Sequence, residues 1–310
     1  MNQELVFVDT DNSLGTPGAE IDDGAALIML LRSEKIKVLG ISSVNGNVSA
    51  ELAAQNTSRI LSHLDKTQIP IGCGVSLPLI EDPGWFLPWQ AGYGPTPPWQ
   101  CNKIHPNGVN LMIDVIRSAP EQVTILAIGP LTNLALAIRL APDIIKKVRN
   151  VIVMGGSFGE DAPVAEFNIR SDPEAAQIVF NAGWPLLLLG LNITRHITFS
   201  HKDFLSLVDG NLAVNLLKSQ ASGWIERVEK MGWDKNQCAL HDAVAVAALL
   251  ERNFFSFRAM NVKVELANKE QRGTIGFEAI REGSEARCIN VAVKVCEAQC
   301  RELIWSLLNR

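Results

Sequence analysis

The sequence predicts an α/β protein: one domain with a mostly parallel central sheet flanked by helices. Short apolar, β-rich runs alternate with loops and Ala/Leu-rich helical stretches along most of the chain, as in βα units whose strands are buried on both faces. Five acids, Asp9, Asp11, Glu20, Asp22 and Asp23, crowd the loop after the first such run, where open α/β sheets bind ligands. No linker or internal repeat divides residues 1–310.

Leu5 to Val8 reads as the first strand and Ala25 to Leu31 as a buried helix. Lys37 to Val44 follows as a strand, Asn45-Gly46-Asn47 as a turn, and Ser49 as the cap of a helix to about Leu64. Ile69 to Cys73 is a short strand. Residues 83–101 break the pattern: five prolines, three glycines and five aromatics exclude a regular helix or central strand. Long excursions of this kind tend to be functional. The tryptophans Trp85, Trp89 and Trp99 either cover the loop's own apolar base or stack on a ligand.

The alternation resumes with strand Val123 to Ile128, helix Leu131 to Leu140, and strand Val151 to Met154 before a long loop. Asp172-Pro173-Glu174 opens a helix with a capping acid and a proline at the first helical position. Leu186 to Leu189 is another strand, and Ser206 to Ala248 reads as mainly helical, with His241-Asp242 near the start of an Ala-rich helix. Three strand-like stretches, Met260 to Leu266, Thr274 to Ile280 and Ile289 to Val295, lead to a final helix, Glu297 to Leu308.

Composition excludes several classes. With 310 residues, 47% hydrophobic and 20% charged, the chain can bury a large core. A net charge of −5 with no Lys/Arg stripe speaks against nucleic acid. The first ten residues lack a basic leader, and the run at 186–191 is far short of a membrane span, so a soluble, cytoplasmic protein is expected. Six cysteines form no C-x-x-C and no zinc spacing; they read as reduced packing residues.

Carboxylates crowded into one loop repel, and a packed fold holds them protonated, hydrogen-bonded to backbone, or bound to a cation. A cation is the reading that serves all five. Helix-dipole roles for Asp22 and Asp23 and a turn role for Asp11 serve only some of them. Residues 155–159 match G-x-S-x-G, yet Glu160, Asp161 and Pro163 prolong a polar loop where a nucleophile elbow turns straight into a helix. No dinucleotide fingerprint and no P-loop lysine occur.

The motifs D-T-D…D-D after strand one, S-V-N-G-N after strand two, I-G-P-L-T-N at 128–133, V-M-G-G at 153–156, A-E-F-N-I-R-S-D-P-E-A-A at 165–176, H-D-A at 241–243 and R-G-T near Gly273 occur in this order. In this the chain resembles the calcium-dependent nucleoside hydrolases over nearly its whole length. The resemblance implies a Rossmann-like open sheet in a single catalytic domain, 1–310, with the Trp/Pro-rich insertion at about 83–101. It implies hydrolysis of the N-glycosidic bond of ribonucleosides by water through an oxocarbenium-like state, with Ca²⁺ as cofactor, and a homodimer or homotetramer.

Carried over by position, Asp11 resembles the general base and a calcium ligand; Asp23, Asp242 and the backbone carbonyl of Ile128 resemble further ligands. Asp22 would lie at the ribose 2′-hydroxyl, with Asn47, Glu166 and Asn168 on the ribose hydroxyls. His241 matches the position that protonates the departing base, for which a histidine suits neutral pH, and His105 resembles a pocket histidine. Trp85, Trp89, Trp99, Trp224 and Trp233 are candidates to surround the base.

This chain departs from the family pattern in three places. Ten residues separate Asp11 from Asp22 where the family has three. Glu160 stands where the family commonly has an asparagine on the sugar. The insertion before His105 is longer than usual. Two other readings stay open: a Mg²⁺-dependent phosphohydrolase using the D-x-D, disfavoured because no Lys or Arg follows the acids closely, and a binding protein that keeps the metal site without turnover.

Overall fold

In β1 (Glu4–Thr10) Val6 and Val8 face one core and Phe7 the other, because successive strand side chains point to opposite faces. The strand is therefore apolar throughout and buried on both sides. The computed structural model describes residues 3–82, 84, 87–99, 103–158, 165–278 and 289–310. After β1 come α1 (Asp22–Arg32), β2 (Ile36–Ser43), α2 (Ala50–His63), β3 (Ile71–Gly72), the single turn α3 (Leu87–Gln90), β4 (Ile104–His105) and α4 (Gly108–Ser118). Then follow β5 (Val123–Ala127), α5 (Thr132–Leu140), β6 (Val148–Met154), α6 (Phe167–Ser171), α7 (Pro173–Phe180), β7 (Leu186–Leu189), α8 (Leu191–Thr194), β8 (Thr198–Ser200) and α9 (His201–Leu205). The chain ends with α10 (Leu212–Lys230), β9 (Gln237–Ala239), α11 (His241–Leu250), β10 (Phe255–Val264), β11 (Ile275–Glu278), β12 (Ile289–Val295) and α12 (Glu297–Leu308).

Ten described strands form one sheet in the order β11-β10-β12-β7-β6-β5-β1-β2-β3-β4. From β12 to β4 all neighbours run parallel, and β10 pairs antiparallel with both β12 and β11 at one edge. One face of the sheet carries α1, α2, α10, α11 and α12, and the other α4, α5 and α7. The fold class is as expected: a mostly parallel sheet flanked by helices. Strand order turns at β1, which lies between β2 and β5, so the crevice at the carboxyl ends of β1 and β5 is the switch point where such sheets bind ligands.

Local chemistry sets the helix starts. The Ser49 hydroxyl accepts a hydrogen bond from Leu52 N at 3.3 Å and caps α2. Asp172 accepts from Ala175 N at 3.0 Å, with Pro173 at the first position of α7. Several boundaries differ from those the sequence predicts. β3 keeps only Ile71–Gly72 of the predicted strand, β6 starts at Val148, and β10 starts at Phe255, because ladder pairing with β12 reaches back to that residue. The predicted helical stretch 206–248 is interrupted by β9, which pairs antiparallel with β8 in a separate small sheet. The Pro-rich excursion holds one helical turn, α3, with Pro88 inside its first turn, where a missing N–H costs nothing. The predicted strand Thr274 to Ile280 is described only through Glu278.

Candidate active site

Three loops at the switch point meet around Asp11. Its carboxylate is fully buried, and Oδ2 accepts the Asn47 N–H at 2.6 Å. Oδ1 is buried with no hydrogen-bond partner. The turn after β2 must pass close: a Cβ on Gly46 would lie 2.1 Å from Asp11 Oδ2. Gly46→Ala is therefore expected to displace this carboxylate and cut activity at least tenfold, with the thermal midpoint lowered by only a few degrees, since one overpacked site costs about 1–3 kcal/mol. Steady-state kinetics beside a melting curve checks this.

Asp22 and Asp23 open α1, and Asp242 lies in the first turn of α11; oxygens of the three approach within 4.8 Å of one another, all buried. Thr10 Oγ1 donates to Asp23 Oδ1, and Asn47 Nδ2 donates to Asp23 Oδ2 at 3.4 Å. Asp22 Oδ2 accepts the Asp242 N–H at 3.4 Å. Among the described residues no salt bridge reaches any of the four acids. Burial pushes Asp11 up to about 7 and Asp22 up to about 6, each against backbone N–H groups that pull back. Burial and then the neighbouring carboxylates hold Asp23 and Asp242 well above the usual carboxylate range. An all-oxygen donor set with one unpartnered buried oxygen fits a hard divalent cation, which relieves that repulsion. This cluster is a candidate acidic metal site.

Asp9, the first residue of the opening D-T-D, is a support. It is pushed up to about 7 by burial, opposed by hydrogen bonds from Ser42 and from Asn133 Nδ2, the latter at 2.7 Å. Asn133 also donates to Ser43 O at 2.8 Å and so ties β1, β2 and the start of α5. Asn133 is the last residue of the I-G-P-L-T-N motif, and nothing in that motif marks it as the tie between these strands.

On the far side of Asp11, Glu166 caps α6: its carboxylate accepts Gly156 N at 3.0 Å, Asn168 N at 2.8 Å and Ile169 N at 3.1 Å. Burial raises its pKa against these donors. Asn168 Nδ2 donates to Ile128 O and Met154 O, both at 3.3 Å. The carbonyl of Ile128 thus faces Asn168, at the end of β5. Asp11, Asp22, Asp23, Asn47, Ile128, Glu166, Asn168, His241 and Asp242 are brought to one crevice.

His241 is half-buried, with Nδ1 2.7 Å from Thr194 Oγ1. Burial, and then the charge of Arg195, lower it to about 4. That direction favours a neutral imidazole near pH 7, which offers one N–H. Glu160 and Trp85 lie outside the described residues. His105 is exposed on the edge strand β4, its Nδ1 2.9 Å from Asn107 O, and the structure does not join it to the acids.

The predicted aromatics separate. Trp89 reaches the site: its Nε1 donates to Asn47 Oδ1 at 3.2 Å. Trp233, 61% exposed, stacks on Trp89 at 5.6 Å. Trp224 is buried in the core and meets Trp89 edge-on at 6.0 Å, so it supports that ring and has no face open to a base. Trp99 is carried away to α2, where it meets His63 and the Arg59 guanidinium. Trp89→Phe, which keeps a ring and removes the bond to Asn47, is expected to raise KM about three- to tenfold, the worth of one neutral hydrogen bond, with a smaller change in kcat.

Two further residues border the acids. Glu20, half-buried, is held well above its ordinary value by burial and then by Asp22, Asp23, Asp11 and Glu166. The Tyr93 hydroxyl is buried without a hydrogen-bond partner. Burial and then the Glu20 charge raise its pKa, with Arg227 opposing and Asp11 and Asp22 adding. Tyr93 is the one tyrosine of the chain, a signal the sequence held, but nothing in its spacing marks it as facing the acids.

The sequence matches the inosine-uridine preferring nucleoside hydrolase family over residues 6–302. It is 33% identical over 277 residues to uridine nucleosidase 1 of Arabidopsis thaliana, covering 84% of this chain and 78% of that one. It is 32% identical over 261 residues to the pyrimidine-specific ribonucleoside hydrolase RihA of Enterobacter sp. (strain 638), covering 81% of this chain and 83% of that one. A solved plant nucleoside hydrolase, PpNRh1, superposes with a TM-score of 0.85 at 25% identity, covering 99% of each chain. The chain belongs to the inosine-uridine preferring nucleoside hydrolase family, hydrolases that split the N-glycosidic bond of ribonucleosides.

Proposed function

We propose that this hydrolase works with Ca²⁺ held by Asp11, Asp23, Asp242 and the Ile128 carbonyl, and that Asp11 is the general base. The observation that carries this reading is the buried, unpartnered Oδ1 of Asp11 beside the three-carboxylate cluster. When bound, Ca²⁺ supplies positive charge that acidifies water and orients the ribose diol. Asp11 Oδ2 is fixed by Asn47 N–H, which leaves Oδ1 to take a proton from water. Asp22 accepts from the 2′-hydroxyl, and Asn47, Glu166 and Asn168 hold the remaining hydroxyls with donors and acceptors in a fixed arrangement. The capped Glu166 carboxylate cannot turn, so it orients without reorganising.

As charge builds on the departing base, His241 donates a hydrogen bond as a neutral imidazole, oriented by Thr194. Trp89 forms the apolar wall for the base, and its bond to Asn47 couples that wall to the sugar site. The phosphohydrolase reading finds no support in the acid cluster, where no described Lys or Arg forms an ion pair to receive a phosphate.

The test is to incubate purified protein with Ca²⁺ and inosine, adenosine, guanosine, uridine or cytidine, with and without a chelator, and to assay free base and ribose. Chelator-sensitive release is expected. Tight riboside binding with no release would favour a binding role, and phosphate release from nucleotides without base release would favour the phosphohydrolase.

A further inference from the structure

The excursion 87–99 touches the sugar side of the site through one helical turn. In α3 the Trp89 indole N–H donates to Asn47 Oδ1 at 3.2 Å, and Gln90 Nε2 donates to Gly46 O at 2.8 Å and to Asn45 Oδ1 at 3.4 Å. These bonds fasten α3 to the turn Asn45-Gly46-Asn47. Asn47 then gives its N–H to Asp11 Oδ2 at 2.6 Å and its Nδ2 to Asp23 Oδ2 at 3.4 Å. One residue separates the indole from the acids. The bonds also fix the sense of the Asn47 amide, oxygen toward the indole and nitrogen toward Asp23, which leaves one lone pair and one N–H for a ribose hydroxyl.

A helix of four residues, none of them buried, does not hold such a position by itself. The hold comes from Arg227 of α10, half-buried outside the acid cluster. Its Nη1 donates to Gly92 O at 2.8 Å and its Nη2 to Trp89 O at 3.0 Å, a planar fork closed on two carbonyls at the end of the turn. The same guanidinium covers the Trp89 and Tyr93 rings, 5.1 and 4.8 Å from their centroids. The approach requires a glycine: a Cβ on Gly92 would lie 2.1 Å from Arg227 Nη1. Farther along, Gly94 N donates to Pro17 O at 2.9 Å and the Thr16 and Thr96 hydroxyls meet at 2.9 Å, tying the excursion to loop 12–21. Those bonds lie beyond Gly92. Among the described residues, Arg227 is the one side chain that hydrogen-bonds the Trp89 main chain.

We propose that Arg227 is a positioning residue for the hydrolysis: its fork sets Trp89, and the Trp89 indole sets the Asn47 amide that grips the ribose. The inference rests on the proposed function, in which Asn47 holds a ribose hydroxyl. It separates binding from chemistry. The contact that fixes Asp11 is the Asn47 main-chain N–H, which does not pass through the indole. Loss of the fork therefore loosens the hold on the sugar and leaves the proton-taking carboxylate in place.

The test compares the parent, Arg227→Gln, Trp89→Phe and the double variant with uridine and inosine, beside melting curves. Arg227→Gln should raise KM about three- to tenfold, the worth of one neutral hydrogen bond, with kcat changed less than about twofold. In the Trp89→Phe background, where the indole bond is already gone, the same substitution should move KM by less than about twofold, the non-additivity of residues that act in series. A second readout needs no turnover: in protein labelled with ¹⁵N-tryptophan, the indole N–H signal that Trp89→Phe removes should exchange with solvent about tenfold faster or more in Arg227→Gln. An unmoved KM, an equal KM increase in both backgrounds, or a lowered kcat and melting midpoint at constant KM would overturn the proposal, the last by making Arg227 a structural brace alone. Should Arg227→Gln fail to fold, Arg227→Lys, which keeps the charge and lacks the fork, is read by the same criteria. If the parent releases no base, the proposed function fails separately, and the indole exchange still decides: an unchanged rate overturns the link from Arg227 to Asn47.

Discussion

Asp11→Asn is expected to lower kcat by about 10²–10⁴-fold, the range of a lost general base, with the fold intact. The amide keeps the volume and can still accept the Asn47 N–H that fixes the position. What it loses is the proposed proton acceptor at Oδ1 and one negative charge in the cluster. In chelated protein the same change should raise the melting midpoint, because a buried acid that burial and Asp22 disfavour is replaced by a neutral group. In Ca²⁺ the order should reverse, since the ion has lost a ligand. Kinetics with paired melting curves, chelated and calcium-loaded, test both halves. An active variant, or one equally destabilised in both conditions, would mean that Asp11 neither takes the proton nor faces the ion.

The second large effect is on stability against pH. Asp11 and Asp9 are raised to about 7 and Asp22 to about 6, from an ordinary value of 3.8. An acid whose folded pKa stands above its unfolded one binds more protons folded than unfolded between the two values, so stability falls as pH rises through that window. Chelated protein should therefore lose midpoint between about pH 4 and pH 7, by roughly 5 °C or more, each kcal/mol being worth about 2–4 °C in a chain of this size. Saturating Ca²⁺ should flatten the slope, because an ion that binds only the folded acids favours their charged forms. Melting curves across this range with and without chelator check the sign. A chelated midpoint that rises toward pH 7 would show that the acids are not packed against one another.

The sequence carries the parts of this site that sit on regular elements. Asp11 follows β1, Asn47 the turn after β2, Asp22 and Asp23 open α1, and Asp242 opens α11; each is adjacent to a strand or helix whose apolar periodicity is plain. Glu166 and Asn168 were legible only through the resemblance their E-F-N motif carries; that Glu166 caps the turn holding Asn168 is visible in the structure alone. The aromatic wall was not. Five tryptophans looked alike in composition, and only tertiary packing sends Trp99 to α2, buries Trp224 under Trp89 and leaves Trp89 on Asn47. The bonds that join loop 12–21 to the excursion link residues about eighty apart in sequence, so no local pattern displays them. The pKa of His241 likewise depends on burial and on Arg195, neither of which its neighbours in sequence display.

The most direct measurement is base release from inosine and uridine by metal-stripped protein as free Ca²⁺ is restored, with calcium binding followed in parallel. The account predicts negligible release without the ion, recovery along a single saturation curve, and one calcium per chain lost together with activity in Asp242→Asn. Release that persists in stripped protein, or activity that returns without calcium binding at this cluster, would contradict it.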